Sequence, residues 1–362
     1  MRLGSIQILR AVAALMVVIH HAEAEALILA ARQGNVFGFA GLMPWPAGVD
    51  VFFVISGFII VHAAKPLYGV EGSWRRFLAH RVARLVPLYW LASAAYLGVV
   101  LAAPGLVSNG GRGAPEPGFV AASFLFWPAL DTEGRAQPLY SLGWTLQCEM
   151  AFYLLFALAL GWGRRGAFAW IAGALSLLAA IHVLVPGLPT PLAFWSAPIM
   201  IEFSLGAAIG LARAEGLRLS LLPRLGLALA GLSLLAVADE PDILTRPLVF
   251  GLPAMLLVAA AGLGAPDTAG RSVAPVRRAL IHLGDASYAL YLVHPFVLRA
   301  CRPAIAALAP STPPWAAALL MIALATLAAL PIQRYVERPM TRRARALLDP
   351  KTSAAPERKK AA

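Results

Sequence analysis

The sequence predicts an all-α integral membrane protein: a bundle of about ten transmembrane helices with both termini on the cytoplasmic side. Three observations predict it. The chain is 60% hydrophobic and only 13% charged, with a mean hydropathy of +0.73, about half the charge of a typical soluble domain. Apolar segments long enough to span recur at 5–28, 47–64, 83–103, 142–161, 167–186, 195–212, 221–238, 247–264, 281–301 and 315–333. Sorting the 30 Lys and Arg by nearest membrane side places 24 in the cytoplasm. Six fall outside: Arg32, Arg112, Arg135, Arg246, Arg299 and Arg302. That asymmetry follows the positive-inside rule and requires an even number of spans. The net charge of +12 is then explained by the bilayer, and no nucleic-acid partner is needed. Residues 1–345 make one transmembrane domain, and 346–362 read as a polar, disordered tail. No internal repeat supports an inverted-repeat transporter.

The first span carries Arg10 and His21. Both are costly at membrane depth, which makes function the default reading. Eleven residues turn a helix through about three turns plus roughly 20°, so both side chains leave one face, about 16 Å apart along the axis. A fixed cation lies near one surface and a titratable imidazole near the other. The run Ala22-Glu23-Ala24-Glu25-Ala26 resembles a signal-peptide cleavage site, but Arg10 interrupts the apolar core that such a peptide needs.

The second span opens from the outer side with Asp50, between Gly48 and Gly57, which permit close helix contact. Asp50 serves as a helix cap, lines a site, or does both. At the cytoplasmic mouth of the third span, Arg81 and Arg84 share a face at i, i+3. They read as membrane anchors or as a phosphate clamp, for which arginine geometry is suited. The outer loop 104–140 is rich in Gly and Pro, and it reads as a lid or as a spacer. Glu149 lies about two turns into the fourth span, in Trp144-Thr145-Leu146-Gln147-Cys148-Glu149. In the ninth span Tyr291 and His294 are helical neighbours, and Pro295 frees the Tyr291 carbonyl. Cys148 and Cys301 read as two unbridged small hydrophobes.

Together these residues form two zones. His21, Glu149 and His294 each lie about seven residues, or roughly 10 Å, below the outer surface. Arg10, Arg81 and Arg84 gather at the inner side. No metal pattern and no Gly-rich phosphate loop is present. A buried histidine beside a carboxylate is a general base for activating a hydroxyl.

The Arg10–His21 spacing resembles the membrane proteins of acyltransferase family 3. So do segment 48–58, the Arg81/Arg84 pair, segment 144–149 and the run Ser287-Tyr288…His294-Pro295. The resemblance covers about residues 5–340 and is strongest to the branch that acetylates exopolysaccharides or related surface glycans. Cys148 is an unusual filler for its motif. The resemblance implies a ten-helix bundle in the bacterial inner membrane, an acyl-coenzyme A donor and transfer to a sugar hydroxyl. The acceptor is expected at the outer face, on a lipid-linked oligosaccharide or growing polymer. Arg10, Arg81 and Arg84 are expected to hold the coenzyme A phosphates, and Asp50 and Trp144 to contact substrate. His21 is the expected base, with Glu149 orienting or charging its imidazole. Tyr291 or His294 is expected to stabilise the oxyanion. No metal or permanently bound cofactor is expected. The rival class is a transporter or flippase of a polar glycolipid, using the same buried charges as a path.

Overall fold

The computed structural model describes residues 3–34, 37, 41, 43–102, 115–265 and 274–349. The described residues are almost wholly helical, with one isolated bridge between Leu130 and Ala136 and no strand. A helix occupies each predicted segment: α1 (Gly4–Gln33), α2 (Gly48–Ala63), α3 (Ser73–Ala102), then, past α4 (Pro117–Phe124), α5 (Gly143–Leu158) and α6 (Arg164–Leu184). After α7 (Thr190–Trp195) come α8 (Ile201–Ala214), α9 (Leu221–Ala236) and α10 (Leu252–Gly262). The chain ends with α11 (Pro275–Asp285), α12 (Ser287–Leu308), α13 (Pro314–Ile332) and α14 (Arg338–Leu348).

Among the described residues, five stretches are long and apolar enough to cross a bilayer on their own: Gly4–Gln33, Trp45–Ala63, Ser73–Ala102, Arg164–Leu184 and Pro314–Leu348. Large apolar side chains point away from the bundle, among them Leu177, Leu222, Leu229 and Leu327, each more than 60% exposed. A soluble fold would bury that many leucines, whereas a helix in lipid gains nothing by doing so.

The central element is α1. Its buried face is a stripe of small residues (Ala11, Ala14, Val18, Ala22 and Ala26), so neighbouring helices come close without side-chain interference. It packs against α2, α10, α11, α12 and α13. Gly34 ends it in the left-handed conformation at φ 66° and returns its N–H to the Ala30 and Ala31 carbonyls.

Glycine sets the tightest crossing, between α2 and α8. A Cβ on Gly57 would lie 1.9 Å from the Phe203 carbonyl oxygen, and one on Gly206 would lie 1.9 Å from that of Val54. Gly48 likewise faces the Ala13 carbonyl on α1. The expected close contacts at Gly48 and Gly57 are thus present.

Four features differ from the sequence reading. Helix α3 begins ten residues before the predicted span, because its first turns are amphipathic and escape a hydropathy criterion. The outer loop contains α4, and its residues 103–114 lie outside the described part. Helix α12 runs through both Pro295 and Pro303 without breaking. The predicted domain end at residue 345 falls inside a helix. From α13 the chain continues through a π-helical turn, Gln333–Glu337, into α14. Asp349 pins that helix to α3 through His80 (3.1 Å) and Arg76 (3.6 Å). The rest of the predicted tail, 350–362, lies outside the described residues. Cys148 and Cys301 are both free thiols.

Candidate active site

Arg10 leaves α1 toward Arg81 and Arg84 on α3, and the three guanidiniums line one internal cavity of about 80 Å³. Ser56, Thr145, Glu149, Tyr153 and Tyr291 line it too. The sequence-level grouping of the three arginines is therefore geometric fact. Glu149, expected in the outer zone with His21 and His294, instead lines the same space as the arginines, together with Tyr291.

The charges around this cavity are unspent. Among the described residues none of the three arginines forms an ion pair. Arg10 donates to the Gln7 amide oxygen at 3.2 Å. Arg81 lies over the Phe77 and Tyr153 rings, at 5.5 and 5.6 Å, and its Nε is buried without a partner. Glu149 accepts hydrogen bonds from Ser56 Oγ (2.6 Å) and from the Tyr153 hydroxyl, both at Oε1. Three guanidiniums thus border this space with one carboxylate that is bonded to neutral hydroxyls, while Glu337 and Asp285 lie beside Arg10 and Arg84 on their other side. Excess buried charge of one sign calls for a counter-charge from a ligand or solvent.

A second, wider basin of about 660 Å³ shares Arg10 and Arg84 with the cavity. Arg334, Arg338, Arg342 and Arg345 line it, with Asp285 and Glu337 the acidic residues among them. Arg10 and Arg84 thus border both the cationic basin and the smaller cavity. Gly284 permits this geometry: a Cβ there would lie 1.9 Å from the Gln7 carbonyl oxygen. The close approach brings α11 and the start of α12 against the Arg10 end of α1.

His21 and His294 form a separate pair. Their ring centroids are 5.0 Å apart, and His294 Nε2 is 3.2 Å from His21 Nδ1. His294 Nδ1 lies 3.0 Å from the Leu290 carbonyl, and His21 Nδ1 lies 2.9 Å from that of Val17. A carbonyl only accepts, so both Nδ1 atoms carry hydrogen. The neutral His294 ring then presents a bare Nε2, and the His21 Nδ1–H is shared between it and the Val17 carbonyl. His21 Nε2 is left as a free lone pair.

Tyr291 joins the two zones. It lines the cavity, its hydroxyl bonds to Thr145 Oγ1 (2.9 Å) and the Leu142 carbonyl (3.1 Å), and its ring lies 6.3 Å from that of His294.

Three expectations need correction. Glu149 does not orient His21; its partners are Ser56 and Tyr153, and the group beside His21 is His294. Asp50 does not face the cavity. Its carboxylate is fully buried in a two-pronged pair with Arg246 from the segment before α10 (Nε–Oδ1 2.9 Å, Nη2–Oδ2 2.8 Å). It is not a cap either, since no side chain caps α2. Trp144 packs edge-on against Phe53 at 6.1 Å and is not among the cavity-lining residues.

The sequence reading missed Ser56, Tyr153 and Thr145. Tyr153 stands four residues after Glu149, on the same helical face, and that spacing was available as a signal. It also missed the basin arginines of α14, which it assigned to general positive-inside charge. Among the described residues no cluster of side chains suits a metal ion.

The family model describing an acyltransferase domain, that of acyltransferase family 3, matches residues 3–334. The chain is 31% identical to the exopolysaccharide production protein ExoZ of Rhizobium meliloti (strain 1021), over 83% of this chain and 90% of that one. It is 30% identical to the acyltransferase MdmB of Streptomyces mycarofaciens, over 69% and 67%. It is 28% identical to the putative peptidoglycan O-acetyltransferase YrhL of Bacillus subtilis (strain 168), over 45% and 28%. No solved structure matches the chain. The chain belongs to acyltransferase family 3: it is a multi-pass membrane acyltransferase that transfers groups other than aminoacyl groups.

Proposed function

We propose that the protein is an O-acetyltransferase of the bacterial inner membrane, moving an acetyl group from acetyl-coenzyme A to a sugar hydroxyl of an exopolysaccharide, lipopolysaccharide or related surface glycan. In this reading ten helices span, both termini are cytoplasmic, and the arginine end faces the cytoplasm. The observation that carries it is that Arg10 and Arg84 line both a 660 Å³ basin and an 80 Å³ cavity, which we read as a neck between them. The basin has the size of a ligand pocket. The cavity, with room for only a few water-sized groups, suits a slim chain and excludes a ring system. A donor with a bulky anionic head and a long thin thioester arm has that shape.

The phosphates nearest the arm rest on Arg10, Arg81 and Arg84, where unpaired guanidiniums supply charge-assisted hydrogen bonds. The arm passes the neck, and the acetyl group travels past Tyr291 toward the histidine pair. His21 Nε2 takes the proton of the sugar hydroxyl as that oxygen bonds to the thioester carbonyl carbon. The carbon–sulfur bond then breaks, and the departing sulfur takes the proton back from His21. In this reading His294 holds the His21 ring in the tautomer that leaves Nε2 bare, and the Tyr291 hydroxyl turns from the Leu142 carbonyl to donate to the oxyanion. Glu149 partly balances the three arginines. The similarity to ExoZ supports an exopolysaccharide acceptor, and that to YrhL supports acetyl as the group transferred.

Radiolabelled acetyl-coenzyme A and isolated glycan or lipid-linked oligosaccharide, incubated with the purified protein, test this reading. Label recovered in the glycan in a base-labile ester supports it. Label that never leaves the donor, across acceptors of this class, overturns it.

A further inference from the structure

The cytoplasmic basin holds more positive charge than the neck alone requires, and that charge is ordered. Arg334, Arg338, Arg342 and Arg345 follow one another at spacings of four, four and three residues, which places them on one stripe of a helical surface. All four line the basin. The stripe is held rigidly, because α14 packs on α3 and is anchored at its end by Asp349 to His80 and Arg76. Arg338 lies 3.8 Å from Asp285. Among the described residues Arg342 and Arg345 have no acidic partner. The positive-inside rule accounts for basic residues on this side, but it does not require them to form one stripe facing one cavity.

The stripe is extended. Arg338 to Arg345 alone covers about 10 Å of helix. A single pyrophosphate does not span that length. The wall beside the stripe includes Tyr335, whose ring is 69% exposed and stacked against Arg334 at 5.5 Å. An exposed ring next to guanidiniums suits a nucleobase attached to a phosphate better than it suits a lipid headgroup.

We infer that the α14 stripe, chiefly Arg342 and Arg345, binds the 3′-phosphomonoester of the donor's nucleotide and so makes the enzyme select coenzyme A thioesters over their 3′-dephospho forms. The inference rests on the donor assignment proposed above and adds a specificity determinant to it. A phosphomonoester carries close to two negative charges, and two unpaired guanidiniums match it.

The test compares acetyl-coenzyme A with acetyl-3′-dephospho-coenzyme A, using the purified full chain in phosphatidylcholine nanodiscs, with and without phosphatidylglycerol. The wild type is expected to prefer the phosphorylated donor about ten- to a hundredfold in kcat/KM, the range of one or two charge-assisted contacts. In the doubly substituted Arg342→Gln/Arg345→Gln protein that preference is expected to fall toward one in both lipid compositions. Calorimetry with adenosine 3′,5′-bisphosphate and adenosine 5′-monophosphate gives a readout independent of turnover. The bisphosphate should bind more tightly to the wild type and equally to the variant. A wild type indifferent to the 3′-phosphate overturns the inference while leaving the acyltransferase reading intact. So does a variant that loses both donors in proportion, or an effect seen only with phosphatidylglycerol, which would assign the stripe to lipid headgroups. Absence of transfer from either donor overturns both readings.

Discussion

Two clusters in this bundle set guanidinium beside carboxylate, and they are built in opposite ways. The Asp50–Arg246 pair is closed: Arg246 meets both carboxylate oxygens, and neither residue lines the cavity or the basin. Buried Glu202 lies beyond this pair, and neither of its carboxylate oxygens has a hydrogen-bond partner among the described residues. Around Glu149 the charges are open: among the described residues the three arginines form no ion pair, the carboxylate bonds only to hydroxyls, and all four charged groups border one cavity. The difference teaches that charge in a span is not by itself a site. Where each charge has its partner, it joins helices; where charges of one sign are left over around a cavity, they await a ligand.

The contrast can be broken by substitution, beginning with the largest effect. His21→Ala removes the only free imidazole nitrogen of the histidine pair. We predict a fall in kcat/KM of roughly a thousandfold, within the usual range for a general base, with unchanged insertion and size-exclusion profile. Near-normal turnover by the purified variant would make His21 structural.

Asp50→Ala leaves Arg246 without its carboxylate. We predict a loss of about 3–5 kcal/mol of stability, as for other broken buried pairs, read as a lowered unfolding midpoint in detergent. Glu149→Gln keeps an oxygen for Ser56 and Tyr153, and its midpoint should move by less than about 1 kcal/mol. Equal losses in the two variants would erase the distinction between closed and open clusters.

Arg84→Ala is expected to raise the KM for acetyl-coenzyme A with little change in the KM for glycan. A charge-assisted phosphate contact of about 1.5–3 kcal/mol corresponds to roughly ten- to a hundredfold. The smallest effect is expected for Tyr291→Phe, which removes one hydroxyl from between the two zones. A drop in kcat of about tenfold or less, with both KM values retained, would fit a single neutral hydrogen bond; a change in donor KM alone would place Tyr291 in binding.

Much of this was legible in the sequence because helices in lipid are legible. A polar residue inside an apolar run is conspicuous, so Arg10, His21, Glu149, Tyr291 and His294 could be picked out one by one. The charge pattern also gives an expectation for the side of the membrane to which Arg81 and Arg84 belong. What periodicity cannot supply is who faces whom across helices distant in sequence. Arg246 lies 196 residues from Asp50, and His294 lies 273 from His21. Helical spacing joins residues three or four apart, so Glu149 was matched to the wrong neighbour and Asp50 to substrate. The glycines at 57 and 206 hint that α2 and α8 touch, but only the packed structure shows that this crossing leaves Arg246 to close on Asp50. Helix α14 was overlooked because it is amphipathic and short, and its arginines were counted for topology without regard to their stripe.

The most direct test of a donor held at the open arginine cluster and an acceptor reached from the other end is made in oriented proteoliposomes. Acetyl-coenzyme A is supplied only to the face bearing α14, with membrane-impermeant glycan only on the opposite face. Acetylated glycan is expected in this arrangement and not when the two substrates exchange sides. Product formed only when both are present on the α14 face would contradict it.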